Sequence, residues 1–211
     1  MSEPGDSPVQ RLLRRSSMQR FPTDRVELFQ CRAFLPDDLC AELISLIERE
    51  RRPSTVADDN GDRAFRTSET CDLQPDLPAV QRLESLLHDV NGINPLHGEP
   101  LQGQRYEVGQ EFKPHTDYFE PGGRDYERFC SVAGQRTWTF MIYLNDVAAG
   151  GGTRFKSAGK TFQPEAGKLL CWNNRRADGS VNADTMHHGM KVRKGRKYVI
   201  TKWYRERPWA P

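Results

Sequence analysis

Apolar residues return at helical spacing over Leu39, Leu43, Ile44, Leu46 and Ile47, which predicts a helix over 36–50 with one buried stripe. Its first turn carries Pro36, Asp37 and Asp38, residues suited to free N–H groups and a positive dipole end. A second stripe, Val80, Leu83, Leu87 and Val90, predicts a helix over 78–90 that stops at Asn91-Gly92. Upstream, Val26-Glu27-Leu28-Phe29 reads as a strand. After Leu101 the pattern shortens to strand-like runs at 102–108, 137–144, 160–163, 168–172, 186–192 and 196–203. They are split by Pro121-Gly122-Gly123, Gly150-Gly151-Gly152, Gly167, Asp178-Gly179 and Lys194-Gly195. Helices followed by many short strands predict a mainly β domain with packing helices, a barrel or jelly roll. Trp138 and Phe140 alternate with Thr137 and Thr139 and are assigned to its core, while Trp172 fits either core or pocket.

Two stretches lie outside this pattern. Residues 51–76 are polar and hold Asn60-Gly61, a good hairpin turn, so they read as a β-finger able to cover a substrate. Residues 1–24 read as a flexible basic leader carrying Arg11, Arg14, Arg15 and Arg20, ahead of a single domain over 25–207. The length of 211 residues suits one domain. A net charge of +2 does not indicate a nucleic-acid binder. No apolar run long enough for a secretory signal follows Met1, and no stretch is long enough to span a membrane. The five cysteines are scattered without a C-x-x-C pair, which predicts reduced thiols and a cytoplasmic setting.

Candidate chemistry begins at His115-Thr116-Asp117. On a strand, residues i and i+2 share a face, so His115 and Asp117 can grip one ion. Two histidines and a carboxylate hold a non-haem iron on one side and leave the other positions open. His88 and His97 lie upstream without carboxylate company, which leaves His187 and His188 as third ligand. The turn at Lys194-Gly195 is expected to fold the chain back and bring Lys197 alongside the histidine strand. Lys197, Val199, Thr201 and Trp203 then share one face. Gly150-Gly151-Gly152-Thr153 is read as a tight turn, since no phosphate-loop lysine follows.

The motifs Arg105-Tyr106-x-x-Gly109, His115-Thr116-Asp117, Tyr143-Leu144-Asn145, Gly151-Gly152-Thr153, His187-His188-Gly189 and Gly195-Arg196-Lys197 together resemble the prolyl 4-hydroxylase-type iron(II)/2-oxoglutarate dioxygenases over about 26–203. The resemblance implies a double-stranded β-helix core, the jelly roll of that family. A lysine ten positions after the distal histidine selects His187 over His188, so iron would be held by His115, Asp117 and His187. Lys197 would bind the distal carboxylate of 2-oxoglutarate, with Tyr106, Thr153 and Thr201 beside it, and Arg136 and Trp203 match substrate positions. The implied reaction uses iron(II), 2-oxoglutarate, dioxygen and ascorbate to hydroxylate a prolyl residue, 4-position, of a peptide or protein, releasing succinate and carbon dioxide. Lys191 departs from the family's usual proline. A free amino acid or small metabolite is the alternative substrate, and a non-catalytic jelly-roll module the alternative role. Lysyl hydroxylases and nucleic-acid dealkylating enzymes typically hold the oxoacid with arginine, so Lys197 speaks against both.

Overall fold

The computed structural model describes residues 6–54, 65–123 and 125–209. Its helices are α1 (Pro8–Leu13), α2 (Asp37–Glu50), α3 (Pro78–Asn91) and α4 (Tyr126–Cys130). An eight-stranded antiparallel sheet runs β1 (Met18–Arg20), β2 (Leu28–Cys31), β11 (Leu169–Asn173), β7 (Arg136–Tyr143), β14 (Lys197–Arg205), β5 (Gln102–Tyr106), β4 (Glu69–Asp72), β3 (Arg52–Pro53). A four-stranded sheet runs β10 (Lys160–Phe162), β9 (Thr153–Phe155), β12 (His187–Gly189), β6 (Phe112–His115), and β8 (Ala149–Gly150) pairs with β13 (Val192–Lys194).

Period-two alternation on the central strands builds two cores from one sheet. Trp138, Phe140, Ile142, Leu169, Cys171, Tyr198, Ile200 and Tyr204 face the stripes of α2 and α3. The intervening residues Met141, Tyr143, Leu170, Trp172 and Val199 face the smaller sheet and meet Phe155 and Phe162. The predicted helices form as expected. α2 opens with Asp37 and Asp38, and α3 ends on Gly92 at φ 64, whose N–H donates to the His88 carbonyl. Gly150 and Gly151 also take positive φ, and a Cβ on Gly150 would stand 2.3 Å from the Lys191 carbonyl.

The described part of the leader departs from the expectation of a flexible segment. Ser7 caps α1 through a reciprocal bond with Gln10, and β1 pairs with β2. Leu12 is fully buried in the helix-side core with Met18, and Val9 packs against it, while Leu13 is exposed. Leu12→Ala should lower stability by about 2–5 kcal/mol. A urea midpoint equal to that of the unaltered chain would return the segment to a solvated leader.

The finger is half seen: β3 and β4 pair with Arg52 opposite Thr70, whereas the Asn60-Gly61 turn lies outside the described residues. The strand expected over 186–192 is broken into β12, which pairs with β9 and β6, and β13, which pairs with β8. The turn at Gly195 does not make a hairpin with the histidine strand. β13 pairs with β8, and β14 crosses into the larger sheet between β7 and β5.

Candidate active site

Strand pairing brings the two histidines together. His115 ends β6 and His187 begins β12, and the two are register partners with ring centroids 4.2 Å apart. Asp117 lies in a bend beyond the end of β6, not on the strand as expected, and its carboxylate Oδ1 is 3.8 Å from His115 Nε2. One ligand atom from each of His115, Asp117 and His187 falls within 4.8 Å of the others.

The donor set fits a divalent transition metal. His115 Nδ1 lies 2.7 Å from the Lys113 carbonyl and His187 Nδ1 lies 3.1 Å from the Thr185 carbonyl. A carbonyl only accepts, so each Nδ1 carries the proton and each Nε2 keeps its lone pair. Burial, reinforced by His187, holds His115 well below the usual imidazole range, and burial lowers His187 against the opposing pull of Asp117. Both rings are therefore neutral near pH 7, the form that ligates. The Thr139 hydroxyl donates to Asp117 Oδ2 at 2.7 Å, leaving Oδ1 on the histidine side. Phe112 stacks on His115 at 3.4 Å and Phe155 on His187 at 5.3 Å, while the Trp172 edge closes on His187 at 4.8 Å. Trp172 is thus pocket wall as well as core.

Lys197 sits in the same cavity. Its register partner is Tyr106, and its ammonium lies 4.8 Å from the Tyr106 ring and 5.5 Å from the Tyr143 ring. Among the described residues no carboxylate lies within ion-pair reach, and burial pushes its pKa down to about 7. Around it the hydroxyls are already directed. Tyr143 donates to Thr153 at 2.6 Å, Tyr106 donates to Gln104 at 2.8 Å, and Gln104 donates to Thr201 at 3.2 Å. Val199, Thr201 and Trp203 line the cavity with Lys197, the face read from their spacing. The sequence reading missed Gln104, though it sits two residues before Tyr106 and therefore on its face. It named Tyr143 only as part of a motif.

A second, open groove of about 600 Å³ shares Phe112, His115, Asp117 and Trp203 with this cavity. Arg136 lies over the Trp203 ring at 4.0 Å and grips Glu99 bidentately at 2.6 and 2.7 Å. Arg205 adds a third bond to Glu99 at 3.0 Å. Burial raises the Glu99 carboxyl, but the two guanidiniums outweigh it and hold the group below the usual carboxylate range. Phe65, Tyr118, Phe119, Phe129 and Trp209 furnish aromatic walls. Arg66, read in the sequence only as part of the 51–76 finger, lies 5.0 Å over the Phe112 ring and bonds Gln102 at 2.9 Å. His188 is not part of the ligand cluster; its Nε2 meets Glu111 at 2.8 Å, and Lys191 joins the same carboxylate at 3.4 Å.

Two packed antiparallel sheets, a histidine-histidine-aspartate cluster and a buried lysine in one cavity define the class of facial-triad metal oxygenases. The chain belongs to the 2OG-Fe(II) oxygenase superfamily, whose profile matches residues 101–205, and that family implies iron(II), 2-oxoglutarate and dioxygen. It is similar to a probable prolyl 4-hydroxylase 10 of Arabidopsis thaliana, 31% identical over 196 residues covering 82% of this chain. The chain spans 66% of that relative's length. The fold is that of a viral collagen prolyl hydroxylase from Paramecium Bursaria Chlorella virus-1, solved as its 2OG complex. The TM-score is 0.66 at 21% identity, over 84% of this chain and 95% of that one. A prolyl hydroxylase from Trichoplax adhaerens, solved with a hypoxia inducible factor peptide fragment, matches at TM-score 0.63 and 17% identity, over 85% and 83% of the two chains. The jelly-roll core expected from the sequence is therefore present. No helix among the described residues is long and apolar enough to cross a membrane.

Proposed function

We propose that this chain is an iron(II)- and 2-oxoglutarate-dependent hydroxylase of prolyl residues, at the 4-position, in a peptide or protein. The observation that carries this reading is the single cavity that holds the His115, Asp117 and His187 cluster together with Lys197 and opens beside an aromatic groove. In it, His115, Asp117 and His187 hold one side of the iron. The ammonium of Lys197 binds the distal carboxylate of 2-oxoglutarate, and Tyr106, Thr153 and Thr201 line the space beside the same group. Bound iron would supply the activation of dioxygen and the attack on an unactivated C–H bond, so no side chain need act as general base. Phe112, Phe155 and Trp172 keep water from the ligand atoms.

Arg136 and Trp203 form the groove wall nearest the metal cluster, where a substrate would lie. The groove suits a chain segment better than a free amino acid, because Glu99 already occupies the Arg136 fork that would capture an α-carboxylate. The structural relative solved with a peptide supports the same choice. Five buried free thiols support a reducing compartment. The test is incubation with iron(II), 2-oxoglutarate, ascorbate and proline-containing peptides. Hydroxylation appears as one added oxygen on proline together with succinate, and succinate without oxygen on any proline would count against the prolyl assignment.

The lysine adds a pH dependence. With its pKa near 7 in the free site, Lys197 is charged below that pH and neutral above it, while the bound oxoacid dianion favours the charged form. Binding above pH 7 must take up a proton, and the dissociation constant for 2-oxoglutarate should rise about tenfold per pH unit. Calorimetry with a redox-inert metal, in buffers of differing ionisation heat, counts that proton. A flat affinity from pH 7 to 9 without proton uptake would remove Lys197 from the role.

A further inference from the structure

Strand pairing places His115 and His187, but Asp117 lies off every strand. Something else must fix its carboxylate. Its Oδ2 accepts from the Thr139 hydroxyl at 2.7 Å, and the Thr139 oxygen lies 2.9 Å from Asn174 Nδ2. Valence fixes both directions. A carboxylate ionised for metal binding has no proton, so the hydroxyl gives Asp117 its only one and meets Asn174 with lone pairs. The amide must then present its NH₂ group.

That orientation leaves Asn174 Oδ1 buried with no hydrogen-bond partner among the described residues, in a side chain with no exposed surface. An amide with an orphaned oxygen is a costly choice for a core position that an apolar side chain could fill. The backbone of Asn174 is held independently, its N–H to the Thr137 carbonyl at 2.7 Å and its carbonyl to the Asn182 N–H at 2.9 Å. The side chain is thus not needed to anchor its own backbone.

We propose that Asn174 is a positioning residue for the metal carboxylate. Acting through Thr139, it commits the hydroxyl proton to Asp117 Oδ2 and leaves Oδ1, on the His115 side, as the ligand atom. The chain Asn174, Thr139, Asp117 runs from the end of β11 through β7 to the bend after β6, so it ties the one ligand outside a strand to the middle of the larger sheet. It rests on the reading of His115, Asp117 and His187 as metal ligands. Removing such outer partners of a metal ligand weakens metal affinity by about 10- to 100-fold.

The experiment is titration of the metal-free full chain with Co(II), followed by visible absorption, with thermal melts alongside. Thr139→Val and Asn174→Leu should each weaken Co(II) by about 10- to 100-fold, and Thr139→Ser should restore wild-type affinity. The double variant should bind no more weakly than Thr139→Val, since both changes break one chain. Wild-type affinity in Asn174→Leu, or losses that multiply in the double variant, overturns the proposal. Should Asn174→Leu fail to fold, Asn174→Asp keeps the shape but draws the Thr139 proton away from Asp117. It should bind Co(II) at least as weakly as Thr139→Val, and unchanged affinity there overturns the proposal too. A wild-type chain that takes up no Co(II) would sink the ligand assignment itself, an outcome distinct from equal binding by all variants.

Discussion

His187→Ala is expected to abolish succinate formation and to lose the metal, whereas His188→Ala is expected to keep both. The two side chains are adjacent in sequence but should differ in effect, because β12 is a strand and consecutive residues face opposite ways. His187 meets His115, Phe155 and Trp172 inside, while His188 meets Glu111 on the other side. Removal of His187 leaves only one imidazole and one carboxylate in the cluster, too few donors to hold iron on one face. Metal content by mass spectrometry and a succinate assay on both variants decide the matter. A His188→Ala protein that loses its metal while His187→Ala keeps it would invert the ligand assignment.

Lys197→Met separates binding from stability with opposite signs. Lys197 is 2% exposed and has no anionic partner among the described residues, so on the proposed reading a bound carboxylate would be its counter-charge. Truncating one partner of a buried charged pair costs roughly 2–5 kcal/mol, about 30- to 5,000-fold in affinity. The KM for 2-oxoglutarate should rise by that factor while metal binding is retained. In the ligand-free protein the same change removes a buried charge and should stabilise by about 1–4 kcal/mol. The sign follows from the depressed pKa: between about 10.5 and 7 the unfolded chain binds a proton that the folded chain refuses, so stability is lost as pH falls through that window. The methionine variant escapes the loss. A melting temperature that drops without ligand, with KM unchanged, would show Lys197 to be ordinary core.

How much of this was legible in the sequence depends on where the geometry is stored. The face shared by Lys197, Val199, Thr201 and Trp203 is a local property of one strand, and spacing alone gives it. So are the stripes of α2 and α3. The pairing of His115 with His187 is not local, and β6 hides itself, because Pro114 argues against a strand. The proline is tolerated because Lys113 turns its N–H outward to the Phe65 carbonyl, which leaves the Pro114 nitrogen facing β12 where the β12–β6 register slips. The expected hairpin after Gly195 failed for the same non-local reason: nothing near the turn says that β14 must leave for the larger sheet. Leu12, buried between arginines in a six-residue helix, offers no period to read. Gln104 was missed, and Thr139 was seen only as the residue alternating with Trp138 and Phe140, because polar residues on an inward face look like interruptions of a core until the cavity is known.

The two ends of the cavity also differ in how readily they open. Lys197 and Thr201 belong to β14, bonded to β7 on one flank and β5 on the other, whereas His115 sits on the outermost strand of the smaller sheet. Edge strands exchange their amide protons through shallow local openings, central strands only when the domain unfolds. Metal loss to a chelator should therefore be a subglobal event, confined to the β6 edge. The oxoacid pocket would remain assembled in the metal-free protein, ready to be recharged with iron without refolding.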